Sequence, residues 1–123
     1  SLNVLGTCSD QRQHHPQLDR ILMDIQALAE EAKISSVYFN SLGEDDLSKQ
    51  VSEDYARALS EAGLSAQAGT GASEHADELK KMIASKGCVL IAQAGRTTYQ
   101  QLEQQLQLCA RFRAAVLGCV VIE

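Results

Sequence analysis

Cys88-Val-Leu-Ile-Ala92 and Ala115-Val-Leu-Gly-Cys-Val-Val-Ile122 are short, unbroken apolar runs, the pattern of strands covered on both faces, as parallel strands are. Between them Thr97 or Thr98 can cap a helix whose inward positions are Leu102, Leu106, Cys109 and Phe112. Working outward, Ser73, Glu74 and Ala76 to Lys86 form a helix with Leu79, Met82 and Ile83 inward and Gly87 as its cap. Leu64 to Ala68 is a weaker strand, because small residues have little β preference, and it runs into Gly69-Thr-Gly71. Leu47, Val51, Tyr55, Ala58, Leu59 and Ala62 keep a helical period that stops at Gly63. Ile34 to Phe39 is β-branched and aromatic, with Asn40, Ser41 and Gly43 as turn chemistry behind it. A further helix is expected over 17–33, where Leu18, Ile21, Leu22, Ile25, Leu28, Ala29 and Ala32 recur at three- and four-residue steps. Strands alternating with helices predict an α/β domain: a mostly parallel sheet of 4–5 strands between two helical layers. One domain covers 1–123, with 1–16 as an N-terminal strand and linker and 17–123 as the core.

Sixteen acidic against eleven basic residues give a net charge of −5, which supplies no positive field for nucleic acid or an anionic membrane surface. With no tryptophan and five aromatics in all, the chain lacks material for a carbohydrate-stacking or base-stacking platform. No window of about 18 apolar residues and no charged leader before an apolar stretch is present, so a soluble, cytoplasmic reading is expected. Cys8, Cys88, Cys109 and Cys119 form no CxxC pair, and His14-His15 lie far from the last three. The expectation is four reduced, structural thiols and no metal.

In a parallel α/β sheet, ligands sit beyond the carboxyl ends of the strands, at helix N-termini, which singles out three loops. The loop Ser41 to Lys49 has the context of a phosphate loop. A nucleotide loop needs glycine amides and a lysine, whereas here Gly43 is followed by Glu44, Asp45 and Asp46. Those carboxylates repel a polyphosphate and favour the helix start. The second loop, Gly69, Thr70, Gly71 and Ser73, can present amides and hydroxyls to a small anion or can be a plain turn. The third, with Arg96, Thr97 and Thr98, is the best local anion receptor, against a strand exit with a threonine cap. No nucleophile–base arrangement can be argued from the spacing, so no catalytic residue is assigned.

The order Gly87-Cys-Val-Leu-Ile-Ala-Gln-Ala-Gly-Arg-Thr-Thr98, helix, Ala115 to Ile122 resembles the closing segment of bacterial tyrosine kinases of capsule and exopolysaccharide synthesis. The opening Asn3 to Cys8 with Asp10 is similar to the segment joining the second transmembrane helix of polysaccharide co-polymerases, the chain-length determinants, to that cytoplasmic domain. Ile34 to Gly63 resembles the family's strand, phosphate loop and helix, with Asp45 and Asp46 where it carries glycine and lysine. The aspartate-bearing strand and the tyrosine-rich tail of the family have no counterpart here. The resemblance implies a Rossmann-like, P-loop-NTPase-like sandwich that has lost kinase chemistry. It implies a domain without cofactor on the cytoplasmic side of a membrane-anchored protein, membrane contact coming only through segments outside this chain. Its expected partner is a kinase of the polysaccharide pathway or a second copy of itself. The alternative is a small phosphate- or nucleotide-binding domain using Arg96, Thr97, Thr98 and the loop Gly69 to Ser73.

Overall fold

The computed structural model describes residues 2–8 and 17–123; His14-His15, Asp10 and the expected linker lie outside the described residues. Among the described residues, five strands alternate with four helices: β1 (Val4–Cys8), α1 (Gln17–Glu31), β2 (Ser36–Ser41), α2 (Asp46–Glu61), β3 (Ser65–Thr70), α3 (Ala76–Ser85), β4 (Lys86–Gln93), α4 (Tyr99–Arg111) and β5 (Ala115–Ile122). All pairings are parallel, in the order β1-β5-β4-β2-β3. The fold is a three-layer Rossmann-like α/β sandwich. Among the described residues, no helix is long and apolar enough to cross a membrane.

The alternation of side chains along the central strands builds both interfaces. Val37 and Phe39 of β2 and Val89 and Ile91 of β4 pack with Ile21, Ile25 and Ala29 of α1 and Tyr55 and Leu59 of α2. Tyr38, Cys88 and Leu90 face the opposite way, against Met82 of α3 and Cys109 of α4. On β5 the alternation breaks: Leu117 joins the first interface, Cys119 the second and Val120 the first again. The cause is a bulge. The register against β4 steps from Cys88↔Val116 to Val89↔Gly118, so Leu117 is the extra residue.

Several boundaries depart from the sequence expectation. β2 begins at Ser36 rather than Ile34 and runs on through Asn40 and Ser41, so the polar pair read as a turn is buried strand. β3 extends through Gly69 to Thr70, because it pairs residue for residue with β2 from Ser36↔Ser65 to Ser41↔Thr70. α3 is not capped by Gly87. Lys86 takes the left-handed cap conformation, with φ of 66°, and its amide donates to the Met82 carbonyl. Ile83 and Phe112, expected inward, are 36% and 38% exposed: Ile83 lies beside the buried stripe of Met82 and Ser85, and Phe112 is the cap residue beyond the end of α4. Gln105 takes a buried place on α4 instead.

Candidate functional site

The strand order fixes where a site can form. From β2 the chain moves through α2 to β3 on one side, and from β4 it moves through α4 to β5 on the other. The loops that follow β2 and β4 therefore diverge, leaving a crevice at the carboxyl ends of these two neighbours. A cavity of about 260 Å³ lies in this crevice, lined by Asn40 and Glu44, by Thr70 at the end of β3 and Glu74 in the loop after it, and by Gln101 and Gln105 from α4.

Asn40 is the unusual member. It is fully buried (0% exposed), and neither its amide oxygen nor its amide nitrogen has a hydrogen-bond partner. Burying an unpaired amide costs on the order of 1–3 kcal/mol, so the position is held against stability. Gln105 is also buried and its amide nitrogen reaches sulfur atoms, Met82 Sδ at 3.4 Å and Cys109 Sγ at 3.7 Å, which are weak acceptors. Among the described residues, no lysine or arginine lines the cavity. The lining is amide, hydroxyl and carboxylate, the wrong sign for a phosphate.

The three loops singled out in the sequence fill their own anion positions. At the start of α2, Asp45 Oδ2 accepts the Ser48 amide at 3.1 Å and Asp45 Oδ1 accepts the Ser48 hydroxyl at 2.9 Å. Partial burial pushes this carboxyl up, but the hydrogen bonds from Ser48, with Arg96 adding its charge, hold it below the usual carboxylate value. The Ser41 hydroxyl donates to the Gly43 carbonyl at 2.6 Å, closing the turn, while Asp46 begins α2 in solvent. In the second loop, Glu78 reaches back from α3 to accept the Thr70 amide at 3.3 Å and the Tyr38 hydroxyl at 3.5 Å. A side chain at Gly69 would collide with that carboxylate and that hydroxyl, which explains the glycine. Gly71, with φ of +73°, turns its carbonyl to accept the amides of Glu74 and His75, both at 2.9 Å.

In the third loop the Thr97 hydroxyl accepts the Gln93 amide at 2.8 Å. Thr98 forms a capping box with Gln101, accepting its amide at 3.1 Å while Gln101 Oε1 accepts the Thr98 amide at 2.8 Å. Arg96 is exposed beside Asp45. Of the predicted site residues, the structure brings Gly43, Glu44, Thr70, Gly71 and Ser73 to the cavity. Gly69 lines a shallow neighbouring cleft, and Arg96, Thr97 and Thr98 line neither.

Sequence reasoning missed Asn40, Glu74, His75 and Gln105. A signal existed for Gln105, which stands three residues after Leu102 and four before Cys109, on the inward face. For Glu74 and His75 there was none, since their neighbour Glu44 lies thirty residues upstream. Ligand atoms of Glu44, Glu74 and His75 all lie within 4.8 Å of one another, with His75 Nε2 3.5 Å from Glu44 Oε1.

Three of the four thiols are pushed up, and Cys109 alone is held below its ordinary value, by hydrogen bonds from Cys88 and Gln105 that outweigh its burial. All four are buried and free. Burial pushes Cys8 and Cys119 up to about 11, Glu123 adding to the effect at Cys8. The Cys88 thiol, hydrogen-bonded to Cys109 and fully buried, is also pushed well up. Comparison with family models, curated proteins and solved structures finds no match to this chain.

Proposed function

We propose that this chain is a non-catalytic regulatory and interaction domain of capsular or exopolysaccharide biosynthesis, a chain-length-determinant relative of the tyrosine kinases it resembles. It acts on the cytoplasmic side of a membrane, through segments outside this chain, and binds the pathway's kinase or a second copy of itself. The observation that carries the loss of kinase chemistry is the Asp45 carboxylate at the α2 N-terminus, where it takes the amide and the hydroxyl of Ser48. That is the position in which a phosphate loop holds its phosphate. Glu44 and Asp46 flank it, and a unit charge about 4 Å from a phosphate charge repels it by roughly 1 kcal/mol even in bulk water. The alternative, a phosphate or nucleotide receptor, loses support because the Ser48 amide and hydroxyl, the Thr70 amide and the Thr98 amide already serve the chain's own groups.

Calorimetric titration with Mg-ATP and with inorganic phosphate near neutral pH should give no saturable heat up to millimolar ligand. Saturable micromolar binding would restore the nucleotide reading. Co-purification of the native full-length protein from its host should recover a kinase of the pathway or a second copy. Recovery at low salt of neither would count against the interaction role.

A further inference from the structure

We propose that Glu44, Glu74 and His75 form a binding site for a divalent transition-metal ion at the mouth of the cavity between β2 and β4. The two carboxylates and the imidazole come from different loops, those after β2 and β3, and are brought together only by the parallel pairing of these strands. Their ligand atoms already lie within 4.8 Å of one another. Bond lengths of about 2.0–2.2 Å to zinc need donors roughly 3–3.5 Å apart, and the His75–Glu44 pair stands at 3.5 Å. Glu74 is exposed, and its carboxylate lies within 4.8 Å of both other ligand atoms.

Two further observations point to an occupant here. Glu44 and Glu74 line the same cavity as Asn40, whose fully buried amide lacks any partner for either atom. A metal held by three protein ligands keeps one or more coordinated waters, and the cavity lining of Asn40, Ser41 and Thr70 is the polar surface those waters would meet. The charge also favours a cation: among the described residues no lysine or arginine lines the cavity, and Arg96 acts on Asp45. One imidazole with two carboxylates suits zinc, cobalt or manganese more than magnesium, which prefers oxygen alone. The site is independent of the polysaccharide reading. A metal would tie the loop after β2 to the loop after β3, at the place where the cavity opens.

The test is titration of the full chain with Zn²⁺, in a background where His14 and His15 are both alanine so that this pair cannot contribute. Binding of one equivalent at micromolar to tens of micromolar Kd is expected. Glu44→Gln and His75→Ala should each weaken it at least tenfold, while Asp77→Asn, an exposed acid in the first turn of α3 outside the cluster, should change it less than twofold. Co²⁺ should give a visible absorption band that His75→Ala abolishes. No saturable Zn²⁺ binding overturns the site. So does binding that survives both Glu44→Gln and His75→Ala, or that falls equally in Asp77→Asn, which would mark a diffuse acidic field.

Discussion

The Asp45 carboxylate grips Ser48 twice, accepting its backbone amide at 3.1 Å and its hydroxyl at 2.9 Å. Ser48 is 1% exposed, so the contact is sheltered although Asp45 itself is only half-buried. It ties the loop after β2 to α2 and places a negative charge where the helix dipole is positive.

Asp45→Ala should therefore cost about 0.5–2 kcal/mol of stability, while Asp45→Asn, which keeps a capping oxygen, should cost a few tenths. Because the folded carboxyl is held below its unfolded value, the charged cap's contribution is fully present above about pH 4 and fades as pH falls through the folded value. The difference between denaturant melts of wild type and Asp45→Ala should be largest near pH 7 and shrink by a few tenths of a kcal/mol in acid, where the protonated carboxyl still caps as asparagine does. An undiminished difference at low pH would contradict the ionic share of the cap.

Gly118 sits at the β5 bulge, with the Leu5 side chain and the Asn3 carbonyl pressed against it. A Cβ there would stand 2.5 Å from Leu5 Cγ and 2.8 Å from the Asn3 oxygen. The second contact is to backbone, which cannot rotate away, and the Cys119 amide donates to that same Asn3 carbonyl at 2.8 Å. Gly118→Ala should lower stability by about 1–3 kcal/mol, as overpacking does, and loosen β1 first. Hydrogen exchange should show faster exchange at the amides of β1 than at those of β2 and β4. Equal loss of protection across the sheet would show that β1 is not the weak edge.

The fold was legible because its evidence is local: unbroken apolar runs at Cys88 to Ala92 and Ala115 to Ile122, and helical periods between them. β3, Ser-Ala-Gln-Ala-Gly-Thr, carries almost no β signal of its own, and its full length comes from pairing with β2. The site was less legible for the same reason. Asn40 and Ser41 are turn residues by composition and become buried strand because β3 and β4 flank them on both sides. The Thr70 amide and the Thr97 hydroxyl looked free in the sequence, since their partners, the Glu78 carboxylate and the Gln93 amide, are chosen by the folded geometry.

The four thiols should be inert in the native protein: three are pushed up, and Cys109, although held below its ordinary value by hydrogen bonds from Cys88 and Gln105, is 1% exposed and out of reach of reagent. With pKa values of about 11 at Cys8 and Cys119, the thiolate fraction at pH 8 is on the order of 10⁻³, against roughly a quarter for an ordinary free cysteine. Cys88 is at least as protected, hydrogen-bonded to Cys109 beneath α4. Thiol-reactive dye should react at least a hundredfold more slowly with native protein than with unfolded protein, in which all four cysteines should count. Rapid reaction of one native thiol, or fewer than four after denaturation, would refute this.

Asn40→Leu is the substitution that weighs the cavity against the fold. Leucine matches asparagine in branching and in number of side-chain heavy atoms, its extra bulk can extend into the adjoining cavity, and the neighbours on that face, Tyr38, Leu90 and Cys88, belong to an apolar cluster. Replacing an amide without partners by a hydrocarbon of similar shape removes a desolvation penalty of about 1–3 kcal/mol and adds apolar burial. For a domain of this size each kcal/mol moves the thermal midpoint by roughly 3–5 °C, so a rise of several degrees is expected. Asn40→Ala should not share it, because the smaller side chain leaves a void that offsets the gain. A midpoint that rises for leucine and not for alanine identifies Asn40 as a residue kept at a cost in stability, the pattern of sites retained for binding. A midpoint that falls for both would mean that the amide is satisfied in solution and contributes to the fold itself.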